Sequence, residues 1–62
     1  MMHTYVRLND DTILTIFGED SSKELYKCYP LDKTDDTPII LVSYDDVKVI
    51  DTNYKYITRN IE

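Results

Sequence analysis

Thr4-Tyr5-Val6-Arg7-Leu8-Asn9-Asp10-Asp11-Thr12-Ile13-Leu14-Thr15-Ile16-Phe17 is the stretch on which the fold class turns. From Thr4 to Leu8 the side chains alternate, with Thr4, Val6 and Leu8 on one face and Tyr5 and Arg7 on the other. That two-residue period belongs to a half-buried strand. Asn9-Asp10-Asp11 predicts a tight turn, because Asn and Asp tolerate turn conformations of the backbone. Thr12 to Phe17 predicts a second strand. Leu14 and Ile16 point one way and Ile13 and Phe17 the other, so this strand is central or strongly bent, as in a small barrel.

Outward from this hairpin, Gly18-Glu19-Asp20-Ser21-Ser22 predicts the next turn, with Gly18 expected to supply a positive φ. Lys23 to Tyr29 admits two readings. As a strand it alternates Glu24, Tyr26 and Cys28 against Leu25, Lys27 and Tyr29; as a helix, Ser21 and Glu24 form a capping-box pattern. Pro30 would end such a helix within two turns, which favours the strand. Leu31 to Thr37 is a polar loop, and Pro38 can start a strand but not sit inside one. Ile39-Ile40-Leu41-Val42-Ser43 is a continuous apolar run, expected as a strand covered on both sides. Tyr44-Asp45-Asp46 interrupts it, after which Val47 and Val49 are expected inward and Lys48 outward. Asp51-Thr52-Asn53 predicts a turn. Tyr54 to Thr58 is expected as a last short strand, with Tyr54 and Tyr56 opposite Ile57.

Composition agrees with a mainly β chain. Ile, Val and Thr number 7, 4 and 7, with 6 Tyr and 1 Phe, so 25 of 62 residues prefer a pleated, half-buried surface. Alanine, the best helix former, is absent. A chain this short is expected to form one domain, 1–62, with a thin core. The pattern predicts a five- to six-stranded antiparallel meander closing into a small barrel. Ser43-Tyr44-Asp45-Asp46-Val47 resembles the short 3₁₀ connection between the last strands of SH3-like barrels, where an aromatic-acidic-acidic-aliphatic string joins two apolar strands. The resemblance covers Val42 to Ile50 and implies fold only, since that fold hosts many functions. The Gly-rich loops usual in such barrels are not present.

Charge narrows the partners. Seven basic and twelve acidic residues give −5, the wrong sign for phosphate backbones, so direct nucleic-acid binding is disfavoured. Lys27, Lys48 and Lys55 beside Tyr26 and Tyr56 are the residues a single-strand binder would use. No apolar stretch is long enough for a membrane span, and no signal peptide is expected. The lone Cys28 is expected as a small buried apolar residue, and with no disulfide the reducing cytoplasm is the expected compartment. No cofactor and no metal site is expected: the Asp pairs lack the alternate spacing and Gly of calcium loops. His3 is the only histidine, so Cys28 has no evident base and catalysis is not expected.

The candidate partner-binding residues are carboxylates and tyrosines. In a meander, successive turns lie at alternate ends of the sheet. Asp10, Asp11, Asp32, Asp35 and Asp36 are thus expected to gather around Lys33 at one end, and Glu19, Asp20, Asp45 and Asp46 at the other. Such poles would attract a protein with a basic surface. Tyr54 and Tyr56, with Tyr5 and Arg7, are expected to form a contact surface. Their strand would also be an exposed edge able to pair with a second copy, giving a homodimer. In composition the chain resembles small acidic bacteriophage accessory proteins that inhibit host enzymes. Three function classes follow, in order of preference: a protein-binding module that occludes a basic surface, a structural protomer of a small homo-oligomer, and a single-stranded nucleic-acid or small-ligand binder.

Overall fold

A computed structural model describes residues 3–32 and 36–59. Strands β1 (Thr4–Leu8), β2 (Ile13–Asp20), β3 (Leu25–Pro30), β4 (Ile40–Ser43) and β5 (Val47–Asp51) form one sheet in the order β4-β3-β2-β1-β5. Every pairing is antiparallel. The mainly β expectation holds, and the preferred strand reading of Lys23 to Tyr29 holds from Leu25 onward, with Lys23 and Glu24 in the turn before it. The first four strands are a meander; β5 crosses to the far edge and pairs with β1.

The link between β4 and β5 sets the curvature. A 3₁₀ turn, Tyr44–Asp46, joins the two strands at opposite ends of the strand order. Four Cα steps span at most about 14 Å, whereas four interstrand spacings of a flat sheet come to about 19 Å. The sheet must roll. It does not close, because β4 and β5 share no ladder.

Rolling gives the sheet an inner face and an outer one. Val6, Leu14, Cys28 and Val42 form the buried inner cluster, with Leu8, Ile16, Tyr26, Ile40 and Val47 packed against it. Val6 with Leu8, and Leu14 with Ile16, share this face, as the alternation of the first hairpin groups them. A bulge between Ile16 and Gly18 bends β2 where its pairing with β3 slips. A second irregularity, opposite Arg7 and Leu8, leaves Val47 paired with Leu8 but puts Val49 opposite Arg7. Val49 consequently shares the outer face, against expectation.

Tyr54–Thr58 is a helix, α1, not a last strand. The Asn53 side chain accepts hydrogen bonds from the backbone N–H groups of Lys55 (3.0 Å) and Tyr56 (3.2 Å) and so caps its start. A five-residue helix has no independent stability. Ile57, fully buried, supplies the tertiary anchor as α1 packs over β1 and β5. The segment expected to offer an exposed strand edge for a second copy is therefore helical.

The apolar run Ile39 to Ser43 is not covered on both sides. Its strand is an edge, and Ile39 and Leu41 are 61% and 59% exposed. The second turn falls at Ser21–Glu24, later than expected, because β2 runs through Gly18 to Asp20. Positive φ falls on Asp11 (72°) and Glu24 (56°) and not on Gly18, which lies in the bulged strand. No helix of the described residues is long and apolar enough to cross a membrane.

Candidate functional site

The carboxylates are placed by the first turn and the 3₁₀ turn. Asn9, Asp10 and Asp11 form a three-residue hairpin loop, the Asp11 N–H donating to the Leu8 carbonyl (2.8 Å). The 3₁₀ turn docks directly on this loop. The Asn9 backbone N–H donates to the Asp46 carbonyl (2.9 Å), and its side-chain amide to the Asp45 carbonyl (3.0 Å). On its other flank, the Tyr44 N–H donates to the Glu24 carbonyl (3.0 Å), and the Tyr44 hydroxyl to the Glu19 carboxylate. The turn is thus held from both sides, and its Asp45 and Asp46 side chains are exposed.

This arrangement corrects the expected poles. Asp46 sits beside Asp10, because β5 starts opposite the end of β1, while Tyr44 keeps the other flank of the same turn against Glu19 and Glu24. A depression of about 290 Å³ between the two aspartates is lined by Leu8, Asn9, Asp10 and Asp46. Asp32 and Asp36 are exposed in the loop after β3, and no hydrogen bond or ion pair among the described residues joins them to the first turn. Asp35, like Lys33, lies outside the described residues.

Asp11 has a different task. It accepts from Lys48 Nζ (2.7 Å) and Arg7 Nε (3.1 Å), the two salt bridges among the described residues. The Lys48 ammonium and then Arg7 hold its carboxyl below the usual range. Asp10 is also lowered, chiefly by the Thr12 N–H donating to it (3.0 Å). All observed internal ion pairing therefore converges on one carboxylate. Asp10, Asp45 and Asp46 have no cationic partner among the described residues.

The tyrosines divide. The Tyr54 ring meets Tyr5 edge-on at 5.2 Å, so helix α1 delivers the contact that a strand was expected to make. Tyr56 points elsewhere, with the Arg59 guanidinium 5.7 Å from its ring centre. Sequence reasoning missed Thr15 and Tyr29. Register places Thr15 opposite both Tyr5 and Tyr29, and a hollow of about 360 Å³ opens over this row. Only the strand pairing, not local spacing, could have revealed the grouping.

Cys28 is fully buried, and burial pushes its thiol above the usual range. The described residues contain no group of three His, Cys, Asp or Glu side chains placed to hold a metal. No protein family, curated protein or solved structure matches the chain.

Proposed function

We propose that this chain is a small, acidic, non-enzymatic binding module that covers a basic surface of another protein. The observation that carries this reading is the use of both salt-bridging cations on Asp11 alone. The remaining first-turn and 3₁₀-turn carboxylates keep their charge for a partner, on backbone fixed by Asn9 and Glu24. Desolvating fixed charges costs less ordering entropy than recruiting mobile ones, and a one-signed patch speeds encounter. The inert setting of Cys28 supports a role without covalent chemistry. The free thiol also supports a reducing, cytoplasmic setting.

The strand order and the 3₁₀ link support an SH3-like small barrel with one open seam as the body. The compositional resemblance to phage inhibitor proteins supports occlusion of a host enzyme as the mode of action. Capture from a bacterial lysate at rising salt, with mass-spectrometric identification, tests the reading. Basic proteins retained at low salt and lost from Asp10→Asn/Asp45→Asn/Asp46→Asn support it; retention by that variant refutes it.

A second reading, a protomer of a homo-oligomer, has its own observation. Edge strand β4 lies in Thr37–Tyr44, the longest stretch of the sequence without a charged residue, and it exposes Ile39 and Leu41. Edges are ordinarily guarded by charge. Sedimentation of wild type and Leu41→Lys separates the readings: concentration-dependent association abolished by the lysine supports the protomer.

A further inference from the structure

The outer face of the sheet carries an aromatic slot that neither turn explains. Thr15, 6% exposed, forms its floor, with Tyr5 on β1 and Tyr29 on β3 as cross-strand neighbours. Each wall is buttressed by a second ring. Tyr54 meets Tyr5 edge-on at 5.2 Å, and Phe17 stacks on Tyr29 at 5.3 Å with an interplanar angle of 20°. The walls stand two interstrand spacings apart, about 9.5 Å between backbones. A planar group touching a ring on each side needs about 7–8 Å. That backbone spacing leaves room for one flat group, and the volume of about 360 Å³ is at the small end for ligand pockets.

Charge selects the group. Asp51 is paired with Tyr5 and so lies on the same face, one strand beyond the Tyr5 wall of the slot, where its carboxylate also accepts from the Asn53 N–H. Of the basic side chains nearby, His3 lines the slot beside Tyr5, whereas Arg7 is engaged on Asp11 and on the Ile57 and Arg59 carbonyls and the Lys27 stem runs over Gly18. Aromatic faces attract cations, and a guanidinium adds planar stacking that an ammonium lacks.

We infer that the slot between Tyr5 and Tyr29 receives one arginine side chain of a protein partner. The inference rests on the proposed basic partner for the source of that arginine, but not for the guanidinium chemistry. The test titrates the full chain with capped Gly-Arg-Gly, Gly-Lys-Gly and the neutral isostere Gly-citrulline-Gly, following ring and amide NMR signals. Saturable shifts of Tyr5, Tyr29 and Tyr54 with the arginine peptide are expected. Citrulline should bind at least about tenfold more weakly, and Tyr5→Leu or Tyr29→Leu should weaken arginine about fivefold. Equal binding of citrulline or of lysine, or shifts that never saturate, would overturn the inference. Should a tyrosine variant not fold, the peptide comparison on wild type still decides. Arginine binding unchanged in Asp10→Asn/Asp45→Asn/Asp46→Asn supports the slot even if that variant disproves the acidic-patch reading.

Discussion

Ile57→Ala tests whether α1 is part of the fold or an appendage. Ile57 is completely buried and is the one buried side chain of its helix. Truncating a buried Ile to Ala costs about 2–5 kcal/mol, from lost transfer energy plus the cavity left behind. Here the surroundings amplify the loss. Five residues cannot hold a helix without that anchor. Its release would also free the Ile57 and Arg59 carbonyls that accept from the Arg7 guanidinium, which is itself largely buried. We therefore expect about 3 kcal/mol. A 62-residue chain has about 3–9 kcal/mol in total at common per-residue values. With a urea slope near the small-protein minimum of about 1 kcal/mol per molar, the midpoint should fall by about 3 M. Tyr56→Ala, an exposed position in the same helix, should stay within about 0.5 kcal/mol. If the Ile57 variant unfolds within about 0.5 M of wild type, the packing argument is wrong.

Three further outcomes follow from the geometry. Gly18→Ala should be neutral or stabilising by about 0.5 kcal/mol in urea unfolding, because φ is not positive and the new Cβ would meet only the flexible Lys27 stem at 3.4 Å. A loss above about 1 kcal/mol would show that the bulge needs glycine. Tyr44 is pushed up to about 12 by its hydrogen bond to Glu19, so alkaline absorbance titration should find one late tyrosine. Glu19→Gln should bring that step down; an unchanged curve would remove the bond from the account. The Asp11 carboxyl is lowered by Lys48 and Arg7, so its contribution is present above the ordinary carboxylate pKa and fades as pH falls through the folded value. Asp11→Asn, which tolerates the same left-handed backbone, should flatten the acid limb of stability against pH. A limb as steep as wild type would mean that other carboxylates set it.

The sheet was legible because its signals are local. Alternation in Thr4 to Leu8 and the Asn-Asp-Asp turn specify a hairpin without help from the rest of the chain, and Val6, Leu14 and Cys28 arrived in the core as their periods require. The continuous apolar run at Ile39 to Ser43 misled, since burial on two faces and exposure at an edge look alike in sequence. Tyr54 to Thr58 misled for a related reason. Its tyrosines favour a strand, but Asn53 as a cap and a single buried Ile57 outweigh that preference over so short a segment. Gly18 shows that a lone glycine need not occupy the left-handed position when Asp and Glu residues at the turns already do. The candidate site was legible in residue types and not in grouping. Where β5 begins brings Asp46 to Asp10 while Tyr44 of the same turn stays on Glu19, and pairing between distant strands carries no sequence spacing of its own.

On the proposed reading, Asp10, Asp45 and Asp46 together form the strongest negative site among the described residues, unneutralised by the cations of those residues. An inert paramagnetic trication such as tris(ethylenediamine)chromium(III), titrated at low salt, measures this through broadening of backbone amide signals. The account predicts the earliest broadening at Asn9–Asp10 and Asp45–Asp46, lost in the triple Asn variant and suppressed by added salt. Uniform broadening, or a focus on the loop of Asp32 and Asp36, would contradict it.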